Sequence, residues 1–253
     1  MKRFICIFVV MLSAVAANSA YASSPDIESA VIRVATHIEP PLVYLDGQEF
    51  VGSNVEVGKL LAASIGYQIE FVQCPFARCL YQTQIGQADM MIGINKTSER
   101  QRHFEYLSKP YSSVITPVKF YLNNDSVLKI ARYEDLIGKK IGVLRGAVYF
   151  KPFDDDNRLT KVPVVNHEQL IDMLLNKRID TFLARDLSVR KRASDVEYLE
   201  KMQAAQFTYQ KQQDMYIAVS KKSQLVNKTA ELSNKLAELI SSGQVAKIVA
   251  RYH

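Results

Sequence analysis

The chain has 253 residues, 48% hydrophobic and 23% charged, with a formal net charge of +6 at pH 7. Those proportions belong to a globular protein able to bury one large or two ordinary cores, and they exclude a disordered or low-complexity chain. The basic excess is small and spread out. Its densest run, Arg190-Lys191-Arg192, reads as a solvated face, so nucleic acid is excluded as the expected partner.

Residues 1–22 read as a signal peptide. Lys2 and Arg3 form a positive start, Phe4 to Ala17 an apolar stretch, and Ala20-Tyr21-Ala22 the small residues of a cleavage site after Ala22. The apolar stretch is shorter than the ~20 residues a spanning helix needs. Cys6 stands near its start, the wrong place for a lipid-anchored cysteine. The mature protein, at +4 without Lys2 and Arg3, is therefore expected in the periplasm and not embedded in the membrane.

After a polar lead-in, Val31 to Ala35 predicts a first strand ending at His37-Ile38-Glu39-Pro40-Pro41, where paired prolines impose extended backbone. Tyr44 and an Asp46-Gly47 turn precede Gly52-Ser53-Asn54-Val55-Glu56. There Asn54 is predicted to cap a helix through Val57, Leu60, Leu61 and Ile65 that stops at Gly66. Gln68 to Val72 predicts a second strand. Pro75 to Ile85 predicts a second helix, with Phe76, Cys79, Leu80 and Thr83 at helical spacing.

Cys74 and Cys79 are the two cysteines beyond the leader. In an oxidising compartment a close pair is more often bridged than free. Five helical steps at ~1.5 Å each exceed the usual Cα separation of a disulfide, so a bridge requires Cys74 to lie off the helix, and Pro75 at the first helical position makes room for that. Two thiols with no histidine nearby are a poor zinc site. No metal is expected.

The run Met90-Met91-Ile92 with Ile94 is too short for a helix and predicts a buried strand that empties into Asn95-Lys96-Thr97-Ser98-Glu99-Arg100. Asn95 and Thr97 offer amide and hydroxyl groups, and the planar fork of Arg100 can grip a carboxylate with two parallel bonds. Strand ends of this kind are where open α/β sheets bind anions. Taken alone, Arg100 reads more readily as a surface residue pairing Glu99 or Glu105.

Gly86, Asp89, Thr97, Arg100, Phe104, Ser108, Pro110 and Tyr111 together are more specific. They resemble the Gly-x-x-Asp, strand, Thr-x-x-Arg, Phe/Tyr-x-x-Ser-x-Pro-Tyr block of the family 3 periplasmic solute-binding proteins, most of which deliver amino acids to ABC transporters. Pro40, Pro41, Tyr44, Gly47, Gly52, Asn54, Val55 and Glu56 resemble the opening of the same family, with Leu42 where an aromatic is common. The resemblance implies that Arg100 takes the ligand's carboxylate. Thr97, Asn95, Glu39, Tyr44 as a stacking ring, and Arg78 in the first turn of its helix complete the candidate contacts on this side.

Further on, the alternation of Val114, Thr116, Val118, Phe120 and Leu122 predicts an extended crossing strand. Tyr133 to Leu136 predicts a short helix, Lys140 to Leu144 a strand, and Arg145 to Tyr149 a turn opening a helix. By resemblance, backbone amides at Ala147 and Val148 reach the ligand's carboxylate, as a helix N-terminus can. Asp154-Asp155-Asp156-Asn157 lacks the spacing and closing Glu of a calcium loop and reads as a solvated turn. Leu159 to Val165 predicts a strand and His167 to Asn176 a helix.

Lys177 to Asp186 resembles the family's Gly-Arg-Val/Ile-Asp-Ala strand, which commonly ends in an Asp that receives an ammonium. Here that position is Arg185, and Asp186 comes one residue late, which on a strand is the other face. Three readings stay open: a bulge turns Asp186 inward; Arg185 lines the cleft and the ligand carries an extra acid or no ammonium; or the two pair on the surface.

Met215 to Val219 predicts a return strand, followed by helices over 223–241 and 244–252 broken at Gly243. Lys221 or Lys222, Ser223, Gly243, Ile248 and Tyr252 resemble the family's ending. The implied fold is α/β, two-lobed and periplasmic-binding-protein-like (type II), with two interlobe crossings. Its parts are 1–22 signal peptide, 23–112 and 216–253 lobe 1, and 113–215 lobe 2. The implied partners are a small carboxylate-bearing ligand, an amino acid or related compound, and an ABC permease, with the protein a monomer. No cofactor or catalytic residue is expected. The sequence shows no Gly-rich phosphate loop, Gly-x-Ser-x-Gly elbow or His-Glu-x-x-His pair, and His37, His103, His167 and His253 are scattered singly. Two alternatives remain: a cyclohexadienyl-dehydratase-like enzyme on the same fold, with Glu39 or Asp186 as its acid, and a periplasmic ligand sensor acting through a receptor.

Overall fold

The computed structural model describes residues 30–185, 188–189 and 200–252. The expected signal peptide and Asp186 lie outside the described residues. The first stretch runs β1 (Val31–Thr36), the hairpin β2 (Tyr44–Asp46) and β3 (Glu49–Val51), α1 (Ser53–Ala63), β4 (Gln68–Gln73), α2 (Phe76–Ile85) and β5 (Met90–Ile94). A 3-10 turn (Arg100–Arg102) and β6 (Phe104–Tyr106) follow. β1 pairs in parallel with β4 on one side and with β5 on the other. Four of the five β5 residues are buried, which is why its sequence is continuously apolar rather than alternating.

The next stretch runs β7 (Ser112–Asn123), a 3-10 turn (Tyr133–Leu136), β8 (Lys140–Leu144), α3 (Lys151–Asp154), β9 (Thr160–Val164), α4 (His167–Leu175) and β10 (Thr181–Arg185). β8 is parallel to both β9 and β10. The chain then enters β11 (Met202–Ser220), a 3-10 turn (Gln224–Lys228), α5 (Thr229–Ser241) and α6 (Gln244–Ala250). β11 pairs antiparallel with β7 from Met202 to Met215, then with β5 and β6 from Tyr216 to Ser220. It thus belongs to both halves of the strand path β4-β1-β5-β11-β7-β10-β8-β9. β7 and β11, side by side, are the two crossings, and the α/β two-part fold implied by the sequence is present.

Each half has its own core. Ile32, Leu61, Met90, Ile217, Leu232 and Leu236 pack together in the first, and Phe120, Leu136, Ile141, Phe150, Phe153 and Leu183 in the second. Full burial of each such side chain contributes roughly 1.5–3 kcal/mol. A third cluster joins the halves, since Leu144 of β8 packs with Ala35, Phe76 and Ile94. The two halves are closed on one another.

Several local expectations are corrected. Asn54 is not the cap of α1; Gly52 holds that position, and Asn54 is buried inside the helix, its Nδ2 donating to the Ile92 carbonyl at 3.3 Å and its Oδ1 receiving the Tyr111 hydroxyl. The turn at Arg145 to Tyr149 opens no helix directly; α3 begins at Lys151 and lasts one turn. The return strand starts at Met202 rather than Met215. Its first part is too polar to read as a strand, yet the ladder with β7 supplies the pairing that the side chains do not advertise. Among the described residues no helix is long and apolar enough to cross a membrane.

Candidate functional site

The C-terminal ends of the parallel strands β1, β5, β8 and β10 converge on a cleft between the halves, the place where α/β sheets bind ligands. The space there is about 660 Å³ when the open solvent at its mouth is included. His37, Glu39, Phe76, Asn95 and Arg100 line it from the first half; Leu144, Ala147, Val148, Tyr149, His167 and Arg185 line it from the second. Gln213 and Met215, on the crossing strand β11, form part of its wall.

Arg100 opens the 3-10 turn after β5. Its backbone N–H donates to Thr97 Oγ1 at 3.2 Å, so Thr97 fixes the turn that aims the side chain. The residue is 7% exposed. Nη1 donates to the Asn95 carbonyl at 2.9 Å, and Nη2 crosses to the second half to donate to the Gly146 carbonyl at 2.9 Å. The guanidinium lies 5.5 Å from the centre of the Phe76 ring. Burial pulls its pKa below the ordinary arginine value, against the raising influence of Tyr106 and Glu99, and an arginine remains a cation at neutral pH regardless. Among the described residues no carboxylate forms an ion pair with Arg100. Two carbonyl dipoles engage its donors without neutralising its charge, which leaves the cleft suited to an anion.

Glu39, 3% exposed, is the centre of a second group. Its Oε1 receives Arg185 Nη2 at 3.0 Å and the Ser188 hydroxyl. Its Oε2 lies 3.4 Å from His167 Nδ1 and 3.8 Å from His37 Nε2. This group ties the end of β1 to the end of β10 and to the first turn of α4. The sequence reading, which took His37 and His167 as scattered single residues, missed it. No local signal links positions 130 residues apart; only the Asn166 cap of α4 marks His167 as a helix start.

The remaining candidates divide. Asn95 contributes its carbonyl, shared by Arg100 and the Tyr106 hydroxyl at 3.2 Å. Thr97 faces a neighbouring depression with Lys96 and Ser98. The Ala147 N–H is used within its own turn, donating to the Leu144 carbonyl at 3.0 Å, and Val148 stands at the rim, 38% exposed. Tyr44 on the β2–β3 hairpin and Arg78 on the exposed face of α2 lie outside the lining; Phe76, two residues earlier on α2, faces the cleft instead. Cys74 and Cys79 are joined at an S–S distance of 2.06 Å with Cα atoms 5.4 Å apart. Cys74 precedes α2, Pro75 occupies the N-cap, and Cys79 N–H donates to the Pro75 carbonyl at 2.9 Å. Among the described residues there is no metal-ligating group of three or more His, Cys, Asp or Glu.

This arrangement, two α/β halves closing on a cleft across a pair of crossing strands, defines the class of two-lobed, periplasmic-binding-protein-like folds. The fold matches that of an ancestral arginine-binding protein bound to arginine, with a TM-score of 0.74 at 22% identity, covering 88% of this chain and 98% of that one. Residues 32–151 match the family model of the bacterial extracellular solute-binding proteins, family 3. The chain is 25% identical over 152 residues to the arginine-binding extracellular protein ArtP of Bacillus subtilis (strain 168), covering 58% of each. It is 28% identical over 148 residues to the L-arginine-binding protein of Pseudomonas aeruginosa, covering 57% of this chain and 55% of that one. The chain thus spans a little over half the length of these relatives. This likeness to the family 3 solute-binding proteins covers 120 of the 253 residues.

Proposed function

We propose that the protein captures a small carboxylate-bearing solute, an amino acid or related compound, in the periplasm and presents its closed form to an ABC permease. The observation that carries this reading is Arg100, a buried cation at the meeting of both halves whose guanidinium, among the described residues, donates to backbone carbonyls and to no carboxylate. In this reading residues 23–112 and 216–253 form lobe 1, residues 113–215 form lobe 2, and residues 1–22 are removed on export. Arg100, aimed by Thr97 and Asn95, takes the carboxylate. Contacts made from both lobes then stabilise the closed state over the open one, and that difference is the signal a permease reads. The names of the two relatives, both arginine-binding proteins, support a solute with an α-carboxylate. Glu39, the acid a dehydratase would need, receives Arg185 and Ser188 as a fixed ion pair does, which favours binding over catalysis.

The test is a thermal-shift screen of the mature protein against amino acids, dicarboxylates and oligopeptides, followed by calorimetry. A true ligand at one hundred times its Kd stabilises the native state by about 2.7 kcal/mol. Silence across that panel, together with turnover of prephenate, would replace the binding reading with the enzymatic one.

A further inference from the structure

The cleft's inner charges do not balance for a cation. Its charged lining residues among those described are Arg100, Arg185 and Glu39, one positive charge in excess with the histidines neutral. At the outer mouth Lys151 pairs with Asp155, the Asp154 carboxylate receives the Tyr149 N–H at 3.0 Å, the Asp214 carboxylate receives Ser113 and Gln212, and Lys96 lies over the Tyr106 and Tyr216 rings. A ligand of net charge −1 neutralises the inner cleft. A ligand of net charge +1 would leave two uncompensated positive charges in a desolvated site, the arrangement that costs most in a protein interior.

Arg185 is placed to take part in that neutralisation. Its side chain is 24% exposed, and among the described residues its Nη2 donates to oxygen at Glu39. Nη1 lies 4.0 Å from Met215 Sδ, a weak acceptor that itself lines the cleft. A guanidinium has five N–H donors and can serve two carboxylates at once. One edge of the fork is therefore held by Glu39, while another faces ligand space. Arg100 supplies the other cationic end of the cleft.

We infer that the solute carries two carboxylates, one received by Arg100 and the second by the cleft-facing edge of Arg185, with Glu39 fixing the orientation of that arginine. This rests on the solute-binding reading and narrows it to acidic ligands, either acidic amino acids or plain dicarboxylates. An ammonium between the two acid groups would meet Glu39, so the two sources are separated by whether removing the ammonium weakens binding.

The experiment is calorimetry of the mature protein at pH 7 with two matched series: L-glutamate, L-glutamine and glutarate; L-aspartate, L-asparagine and succinate; and L-arginine beside them. A dicarboxylate of one series is expected to bind about tenfold or more tighter than its amide partner and than arginine. Arg185→Met should collapse the ratio of dicarboxylate to amide affinity towards one, whatever it does to both affinities, and Arg185→Lys should restore part of that ratio. If the variants do not fold, the wild-type series decides alone. Tighter binding of arginine or of an amide than of either dicarboxylate would overturn the two-acid inference and leave the solute-binding reading standing. Absence of binding by all seven compounds would overturn the two-acid inference, and the solute-binding reading would fall with it only if the wider thermal-shift panel were silent as well.

Discussion

Glu39 and Arg185 stand 146 residues apart in the chain, yet their side chains meet at 3.0 Å and join the end of β1 to the end of β10. Arg100 bonded to Gly146 adds a second polar group that spans the cleft. A two-state protein held closed by its own contacts has less closure left for a ligand to drive. The strength of these links therefore sets how much of the ligand's binding energy appears as a change of shape.

Glu39→Gln tests that point. The substitution keeps the shape but removes the charge facing Arg185, and the loss of a charge-assisted hydrogen bond costs about 1.5–3 kcal/mol. The ligand-free protein is expected to shift toward an open form, seen as a larger radius of gyration in solution scattering. A radius identical to that of the wild type would mean that packing of Leu144 against Phe76 and Ile94, and not the ion pair, holds the halves together.

Arg100→Met should remove the anion site while keeping a side chain of similar length over Phe76. Truncating one partner of a buried charge pair costs about 2–5 kcal/mol, so affinity for any bound carboxylate should fall by that amount in calorimetry. Melting in the absence of ligand should change little or rise, because the variant no longer buries an unneutralised charge. Unchanged affinity would place the carboxylate elsewhere.

The sequence carried much of the fold and part of the site, and the division has physical reasons. Strands buried on both faces, such as β5, leave continuous apolar runs, and the motif from Gly86 to Tyr111 placed Arg100 at the end of one. Pro75 allowed Cys74 to lie off its helix, where the structure bridges it to Cys79. The Glu39 group was not legible, because His37, His167, Ser188 and Arg185 meet only once four separate strand and helix ends are in place. The polar half of β11 escaped for a similar reason, since its hydrogen bonds go to β7 and leave no apolar period to read. Arg78 misled because its spacing puts it in the first turn of α2, but that turn presents Phe76 to the cleft.

Gly93 offers a steric test of the same region. Its φ of +86° is one that side-chain-bearing residues rarely adopt, and a Cβ there would sit 2.3 Å from Asn54 Nδ2 and 3.1 Å from the Tyr111 hydroxyl. Asn54 is fixed by Ile92 and Tyr111 and has no room to retreat. Gly93→Ala should destabilise the protein by at least about 1–3 kcal/mol through backbone strain alone, read as a lower urea midpoint at unchanged slope. Because Gly93 lines the cleft, ligand affinity should fall in the same variant.

The buried phenols give the protein an alkaline limit. Burial pushes Tyr106 up to about 12, opposed by the nearby Arg100, and burial together with a hydrogen bond to Asp156 pushes Tyr133 up to about 12. Burial also raises Tyr111 and Tyr149. Each is held neutral in the folded protein at pH values where the unfolded chain has ionised it. The stabilisation is fully present below the ordinary tyrosine pKa of about 10 and is lost as pH rises from there through 12. For Tyr106, 7% exposed, the loss is on the order of 2–3 kcal/mol across that window. Urea midpoints measured from pH 9 to 11.5 should fall steeply above pH 10. Phenolate absorbance near 295 nm should rise in two stages, exposed tyrosines first and the buried ones with unfolding. Tyr106→Phe should flatten the fall, and a variant with the wild-type slope would show that this phenol is not among those holding the protein neutral.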